Sequence, residues 1–254
     1  MVHGFDQRRL SRITNLCDRY IESGKFPCAQ VQVTQGDEVI LRHTTGKADI
    51  EEDIDLSEDA IFRIYSMTKP LTSIGLMQLY EKGDFILEDP VEKFLPAFRD
   101  PQVLIGGSYL KPALRPAQTI LTVRDMLMHT SGLTYGFHFA NNLDKMYRES
   151  KFGSIWGQKN EAIETLEETV DKLGEMPLLF DPGTNWNYSM STDVCGRLIE
   201  VISGQNLSDY LNENIIEPLG MSDTGFHVVP EKRHRFTSNY AFTPENPLMK
   251  IDEA

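Results

Sequence analysis

Apolar residues at Leu10, Ile13, Leu16, Cys17, Tyr20 and Ile21 recur at helical spacing, and Gly24 follows as a C-cap, so residues 6–23 are expected to form an amphipathic helix. Val31 and Val33 then alternate with polar neighbours. Gly36-Asp37 interrupts the alternation and Val39 to Leu41 resumes it, which predicts a β-hairpin over residues 29–43. A longer apolar run, Met67, Leu71, Ile74, Leu76 and Leu79 before Gly83, predicts a helix opening at or just before Ser66. Pro70 fits that opening, because the first turn of a helix has amides without intrahelical partners. Prolines and Gly106-Gly107 between Arg99 and Pro116 predict a long loop. Thr122 should cap a short helix through Leu127, and residues 133–156 are rich in aromatics but show little periodicity. The apolar stripe Ile163, Leu166, Val170, Leu173 predicts a further helix. Another is expected at Val194 to Ile202, ending at Gly204, and a last one from Ser208 to Ile216.

Composition narrows what such a chain can do. With 254 residues, 40% of them hydrophobic, it can bury a sizeable core as one domain spanning residues 1–254. A net charge of -13 without any compensating Lys/Arg cluster disfavours nucleic acid and anionic membrane surfaces as partners. The amino terminus is polar from the outset and no run is long enough to span a bilayer, which predicts a cytoplasmic protein. Cys17, Cys28 and Cys195 lack metal-ligand spacing, sit among apolar neighbours and are expected as buried reduced thiols. The acidic stretch from Asp49 to Asp59 has neither the glycine nor the ligand spacing of an EF-hand and is expected to be a solvated loop.

The chemistry suggested by the chain starts at Ser66-Met67-Thr68-Lys69. One helical turn puts serine and lysine on one face, where the amine can serve the hydroxyl as a base. A chain of this length should contain about one such spacing by chance, so the neighbouring segments must decide. No Gly-x-Ser-x-Gly elbow, histidine ligand spacing or Gly-rich phosphate loop offers a competing site. His129 follows a predicted helix end, where capping or internal packing is its ordinary role. Tyr135, Phe137 and Trp156 in the aromatic segment can line a pocket or simply pack in the core.

The order of Ile64-Tyr65-Ser66-Met67-Thr68-Lys69-Pro70, then Leu127-Met128-His129-Thr130-Ser131-Gly132-Leu133, then Asp181-Pro182-Gly183 leading to Tyr188-Ser189, then Pro218-Leu219-Gly220-Met221, resembles the serine β-lactamase and penicillin-binding-protein family, in its class C-like branch with the family VIII carboxylesterases. This resemblance implies an α+β, β-lactamase-like fold, a helical region with an antiparallel sheet. It also implies an acylated nucleophile at Ser66, with Lys69 and Tyr188 as its proton-handling partners and no cofactor or metal. The family's Tyr-x-Asn carries Met190 in its third position here, which tilts the expected substrate from β-lactams and peptides towards esters with an apolar acyl group contacting Met190. The family's third motif, Lys-Thr-Gly or His/Trp-x-Gly, does not occur between Asp193 and Ala254. The expectation is therefore an N-terminal portion of the fold lacking its C-terminal strands, completed by a C-terminal segment or a second chain. Its function would be that of a serine hydrolase acting on small-molecule esters or amides. Acyl transfer, weak β-lactamase activity, or ligand binding without catalysis are the alternatives.

Overall fold

The computed structural model describes residues 4–150 and 165–251, which fall into two compact units, residues 4–64 with 227–251 and residues 65–226. Trp156 and the first residue of the predicted Ile163 stripe lie outside the described residues.

In the first unit, helix α1 (Gln7–Glu22) is capped by Asp6, whose carboxylate accepts from the Arg8 amide at 2.8 Å. Strands β1 (Cys28–Gln35) and β2 (Glu38–Asp49) pair antiparallel around Gly36, with a register shift between Val33 and Thr34. The hairpin thus extends beyond residue 43, and β2 goes on to pair with the two-residue β3 (Ile54–Asp55). Part of the acidic stretch is structured by charge pairing. Lys47 Nζ reaches Asp53 and Asp55 at 2.9 and 2.6 Å, and Asp49 is buried, accepting from Ser238 Oγ and Lys250 Nζ at 2.6 Å each. Among the described residues no cluster of three His, Cys, Asp or Glu could hold a metal ion.

Helix α2 (Thr68–Lys82) anchors the second unit. Thr72, Gly75, Leu76 and Leu79 are its buried face, Ile74 and Tyr80 are exposed, and Gly83 ends it in the left-handed region. Residues 102–116, expected as a loop, form a hairpin of β4 (Gln102–Ser108) and β5 (Lys111–Pro116). Leu178 bridges the far side of β4, which leaves β5 as the edge strand, so its Pro112 and Pro116 remove no interior ladder bond. Helix α3 (Val123–Met128) opens on a capping box between Thr122 and Asp125, as the threonine predicted. The aperiodic aromatic stretch contains a helix the sequence pattern concealed, α4 (Asn142–Glu149), which opens on a second capping box between Asn141 and Asp144. Three more follow: α5 (Leu166–Gly174), α6 (Ser191–Ser203) and α7 (Leu207–Leu211), the last continued by a π-helical turn over Asn212–Ile216.

Val194, Cys195, Leu198 and Ile199 of α6 pack into the same core as Leu76 and Leu79 of α2. Each fully buried aliphatic side chain there contributes about 1.5–3 kcal/mol. The close approach of α2 to α7 depends on Gly75, where a Cβ would lie 2.9 Å from Leu211 Cδ2. Among the described residues no helix is long and apolar enough to cross a membrane.

Candidate functional site

Ser66 lies in a single 3-10 turn, Tyr65–Met67, that leads directly into α2. Tyr65 holds a φ of 41°, a left-handed conformation rare for a bulky residue, so the backbone is strained one residue before the serine. Ser66 is exposed, whereas Lys69 in the first turn of α2 is half-buried. The Lys69 ammonium donates to Ser66 Oγ at 3.4 Å and to the Tyr135 hydroxyl at 3.1 Å. Tyr188 approaches from the opposite end of the unit's sequence, with its hydroxyl 2.7 Å from Ser66 Oγ. The lysine Nζ also sits 4.8 Å from the Tyr188 ring centroid.

Tyr188 owes its place to a loop stitched down on both sides. Asp181 accepts a two-pronged ion pair from Arg115 at 2.9 and 2.6 Å, and the Gln118 amide at 2.8 Å. Gly183 N and Asn187 N donate to the carbonyls of Thr130 and His129, both at 2.9 Å, and Asn187 Nδ2 donates to Leu133 O at 2.9 Å. His138 Nε2 donates to the carbonyl of Tyr188 itself at 2.7 Å. Gly132 makes the seam possible. Its φ is +87°, and a Cβ there would fall 2.7 Å from Phe180 O.

Electrostatics separate the two proton-handling groups. Burial pulls the Lys69 ammonium down, but contacts with Tyr188 and Tyr135 outweigh it and its pKa rises above the ordinary lysine value. For Tyr188 burial pushes the phenol up, yet the hydrogen bond with Ser66 and the neighbouring ammonium bring the net direction below an ordinary tyrosine. The site therefore favours a protonated lysine beside a tyrosine more acidic than an ordinary phenol. Tyr135 is different: burial, reinforced by the Asp193 charge, pushes it up to about 12, which keeps it a neutral phenol. Beside Lys69 opens a cavity of roughly 470 Å³, within the usual range of about 300–1,000 Å³ for ligand pockets, lined by Tyr65, Thr68, Thr72, Asp193 and Leu207 among others. Burial raises the Asp193 carboxyl despite the Lys69 charge.

Of the residues expected to contact substrate, Tyr135 is buried with its hydroxyl on Lys69, and its ring stacks on half-buried Phe137 at 4.6 Å. Met190 is buried in the apolar core at the start of α6. His129, expected to cap a helix end or pack internally, does end α3, and both it and His138 touch the segment carrying Tyr188. Nothing in local spacing could reveal this, since their partners lie 50–60 residues away.

A sequence model of the Beta-lactamase family matches residues 13–253. The chain is 30% identical over 242 residues to Esterase EstB of Burkholderia gladioli, covering 95% of this chain and 57% of that protein. It is 36% identical over 202 residues to Acyltransferase calJ of Penicillium decumbens, covering 78% of this chain and 46% of the other. Among solved structures, EstCE1, titled a hydrolase with promiscuous acyltransferase activity, superposes with a TM-score of 0.77 at 25% identity, over 96% of this chain and 64% of that one. The chain spans about half the length of the curated relatives it matches.

Proposed function

Since the chain belongs to the Beta-lactamase family and has its α+β fold of helices and antiparallel sheets, we propose that it performs acyl transfer through a covalent ester on Ser66, acting as a carboxylesterase on small neutral esters. One observation carries the reading: Tyr188 and a half-buried Lys69 converge on the exposed Ser66 Oγ, at 2.7 and 3.4 Å. With Tyr188 entering the step as a phenolate paired to the Lys69 ammonium, Ser66 Oγ attacks the ester carbonyl carbon as its proton passes to the Tyr188 oxygen. The carbonyl C–O bond then breaks, and Tyr188 returns that proton to the departing alkoxide. Water attacks the acyl-serine, gives a proton to Tyr188, and the carboxylic acid leaves as Ser66 Oγ takes the proton back. Lys69 stays an ammonium throughout and stabilises the phenolate that appears twice in the cycle.

An alcohol in place of water gives an acyltransferase from the same intermediate, a second reading favoured by the likeness to calJ. In this reading the Ser66 backbone N–H is one oxyanion donor, and a second is proposed to come from a segment outside residues 1–254, of this polypeptide or another, because the sequence after Asp193 has no third motif. Losing one such donor costs about 10²–10³ in turnover.

Intact-mass measurement after treatment with a fluorophosphonate tests the reading. The expected result is one adduct, mapped to Ser66 and absent in Ser66→Ala, with ester turnover by residues 1–254 slow relative to acylation. A folded chain that takes up no adduct at Ser66 would sink the enzymatic reading.

A further inference from the structure

His129 occupies an unusual position next to the reacting groups. It ends α3 in the left-handed region, with φ at 58°, and its ring lies against the Tyr188 ring at a centroid distance of 5.1 Å and a tilt of 45°. A histidine held in such a backbone conformation is conformationally costly, so its surroundings must over-determine it. They do so through one ring nitrogen. The backbone N–H of Ser189 points at Nδ1 from 3.3 Å, and a main-chain amide can only donate. Nδ1 is therefore the unprotonated acceptor, and the proton of the neutral ring is on Nε2.

Behind that nitrogen runs a chain of buried hydroxyls. Ser189 Oγ lies 3.2 Å from Nδ1, Ser191 Oγ is 2.7 Å from Ser189 Oγ, and Ser131 Oγ is 2.7 Å from Ser191 Oγ. All three serines are fully buried. The far end is fixed by the Leu133 amide, which donates to Ser131 Oγ at 3.1 Å. With an amide feeding one end and the single Nδ1 lone pair at the other shared by the Ser189 amide and hydroxyl, every hydroxyl can donate towards the histidine. Protonating Nδ1 sets two N–H groups facing each other across 3.3 Å and forces the hydroxyls to turn the other way, each donating away from the histidine towards Ser131.

We propose that His129 is a positioning residue for Tyr188, holding the Tyr188–Ser189 backbone and ring through this directional hydroxyl chain, and that it does so only as a neutral imidazole. The inference rests on the acyl-transfer reading of Ser66, Lys69 and Tyr188. Facing His129 are Lys69 from α2 and Tyr188 and Trp186 from the loop before α6. On its own helix Asp125 is committed to Thr122 and Thr130. Burial, with help from the Lys69 charge, holds the imidazole below its ordinary value, in keeping with the geometry.

Two variants and one spectrum test the assignment. His129→Asn keeps an acceptor oxygen near Nδ1, tolerates a positive φ and cannot titrate. It should retain kcat at pH 8 within about tenfold and lose the acid limb that His129 imposes on the kcat profile. Ser191→Ala cuts the chain and should move that limb upward by about 0.5–1 pH unit while KM changes less than about threefold. Acid limbs that superimpose on wild type in both folded variants overturn the proposal. Independently of any activity, two-bond 1H–15N spectra of the ring, identified by its absence in His129→Asn, should show the Nε2–H tautomer at neutral pH. A proton on Nδ1 there overturns the proposal even if Ser66 is acylated. Failure of Ser66 to acylate while the tautomer is as described removes the acyl-transfer reading and leaves only the hydroxyl chain standing.

Discussion

Tyr135 illustrates how a single hydroxyl changes what a residue does. Its ring has the apolar stacking expected of an aromatic wall, but its OH accepts from Lys69 at 3.1 Å, so it is one of the groups that keep the lysine charged. Tyr135→Phe preserves the ring and removes one acceptor, a loss of about 1–1.5 kcal/mol. The expected outcome is a kcat about tenfold lower with KM nearly unchanged, and an earlier fall in activity on the alkaline side as Lys69 loses its proton more easily. A pure pocket wall would instead move KM. Steady-state kinetics on p-nitrophenyl acetate from pH 6 to 10 separates the two. At this scale the sequence was informative only where neighbours along the chain act together. Ser66 and Lys69 are one helical turn apart and Tyr188 follows a recognisable turn. The contacts of His129, His138 and the three serines are made by chain segments that meet only after folding.

Between elements, the Arg115–Asp181 pair connects β5 to the loop that carries Tyr188. Arg115 and the Gln118 amide hold the Asp181 carboxyl down to about 2, below the unfolded value of about 4. A depressed carboxyl stabilises the fold fully above the unfolded pKa, and that contribution disappears as pH falls through the folded one. Asp181→Asn should therefore lower Tm by a constant amount above about pH 5, and the difference from wild type should close between about pH 4 and pH 2. Thermal scans across that range check it; a gap that persists at pH 2 removes this pair from the acid response. The elements themselves were legible to different degrees. Periodicity and caps predicted α1, α3 and α6 closely, because their apolar stripes and capping residues are local. The β4–β5 hairpin was hidden because its prolines are tolerated only on an edge strand and its glycines follow a register shift, both facts of tertiary structure. Helix α4 was hidden because its buried residues, Leu143, Asp144 and Tyr147, include a carboxylate that accepts from Thr134 Oγ1, so the stripe does not look apolar.

For the molecule as a whole the net charge of -13 sets the terms of encounter. A field of that sign repels anionic substrates over roughly 10 Å at 0.1 M salt and leaves neutral ones unaffected. The kcat/KM for an anionic ester such as p-nitrophenyl hemisuccinate should rise roughly 2- to 10-fold between 10 and 300 mM NaCl, while that for the neutral acetate stays flat. Equal salt profiles would show that local charges, Lys69 above all, govern access instead. Fold class could be read from the sequence because four short segments occur in family order over most of the chain. The division into two compact units could not, since residues 227–251 join residues 4–64 by contacts that skip the whole helical unit.

The strained φ of 41° at Tyr65 sets stability against turnover. Holding a bulky residue there costs about 1–3 kcal/mol, and a single change to glycine would recover that sum less the roughly 0.5–1 kcal/mol of extra backbone entropy glycine loses on folding. Selection for heat resistance alone would be drawn to that position. The sturdier protein it yields would have slackened the very turn that presents its nucleophile, so durability and catalysis compete at one backbone angle.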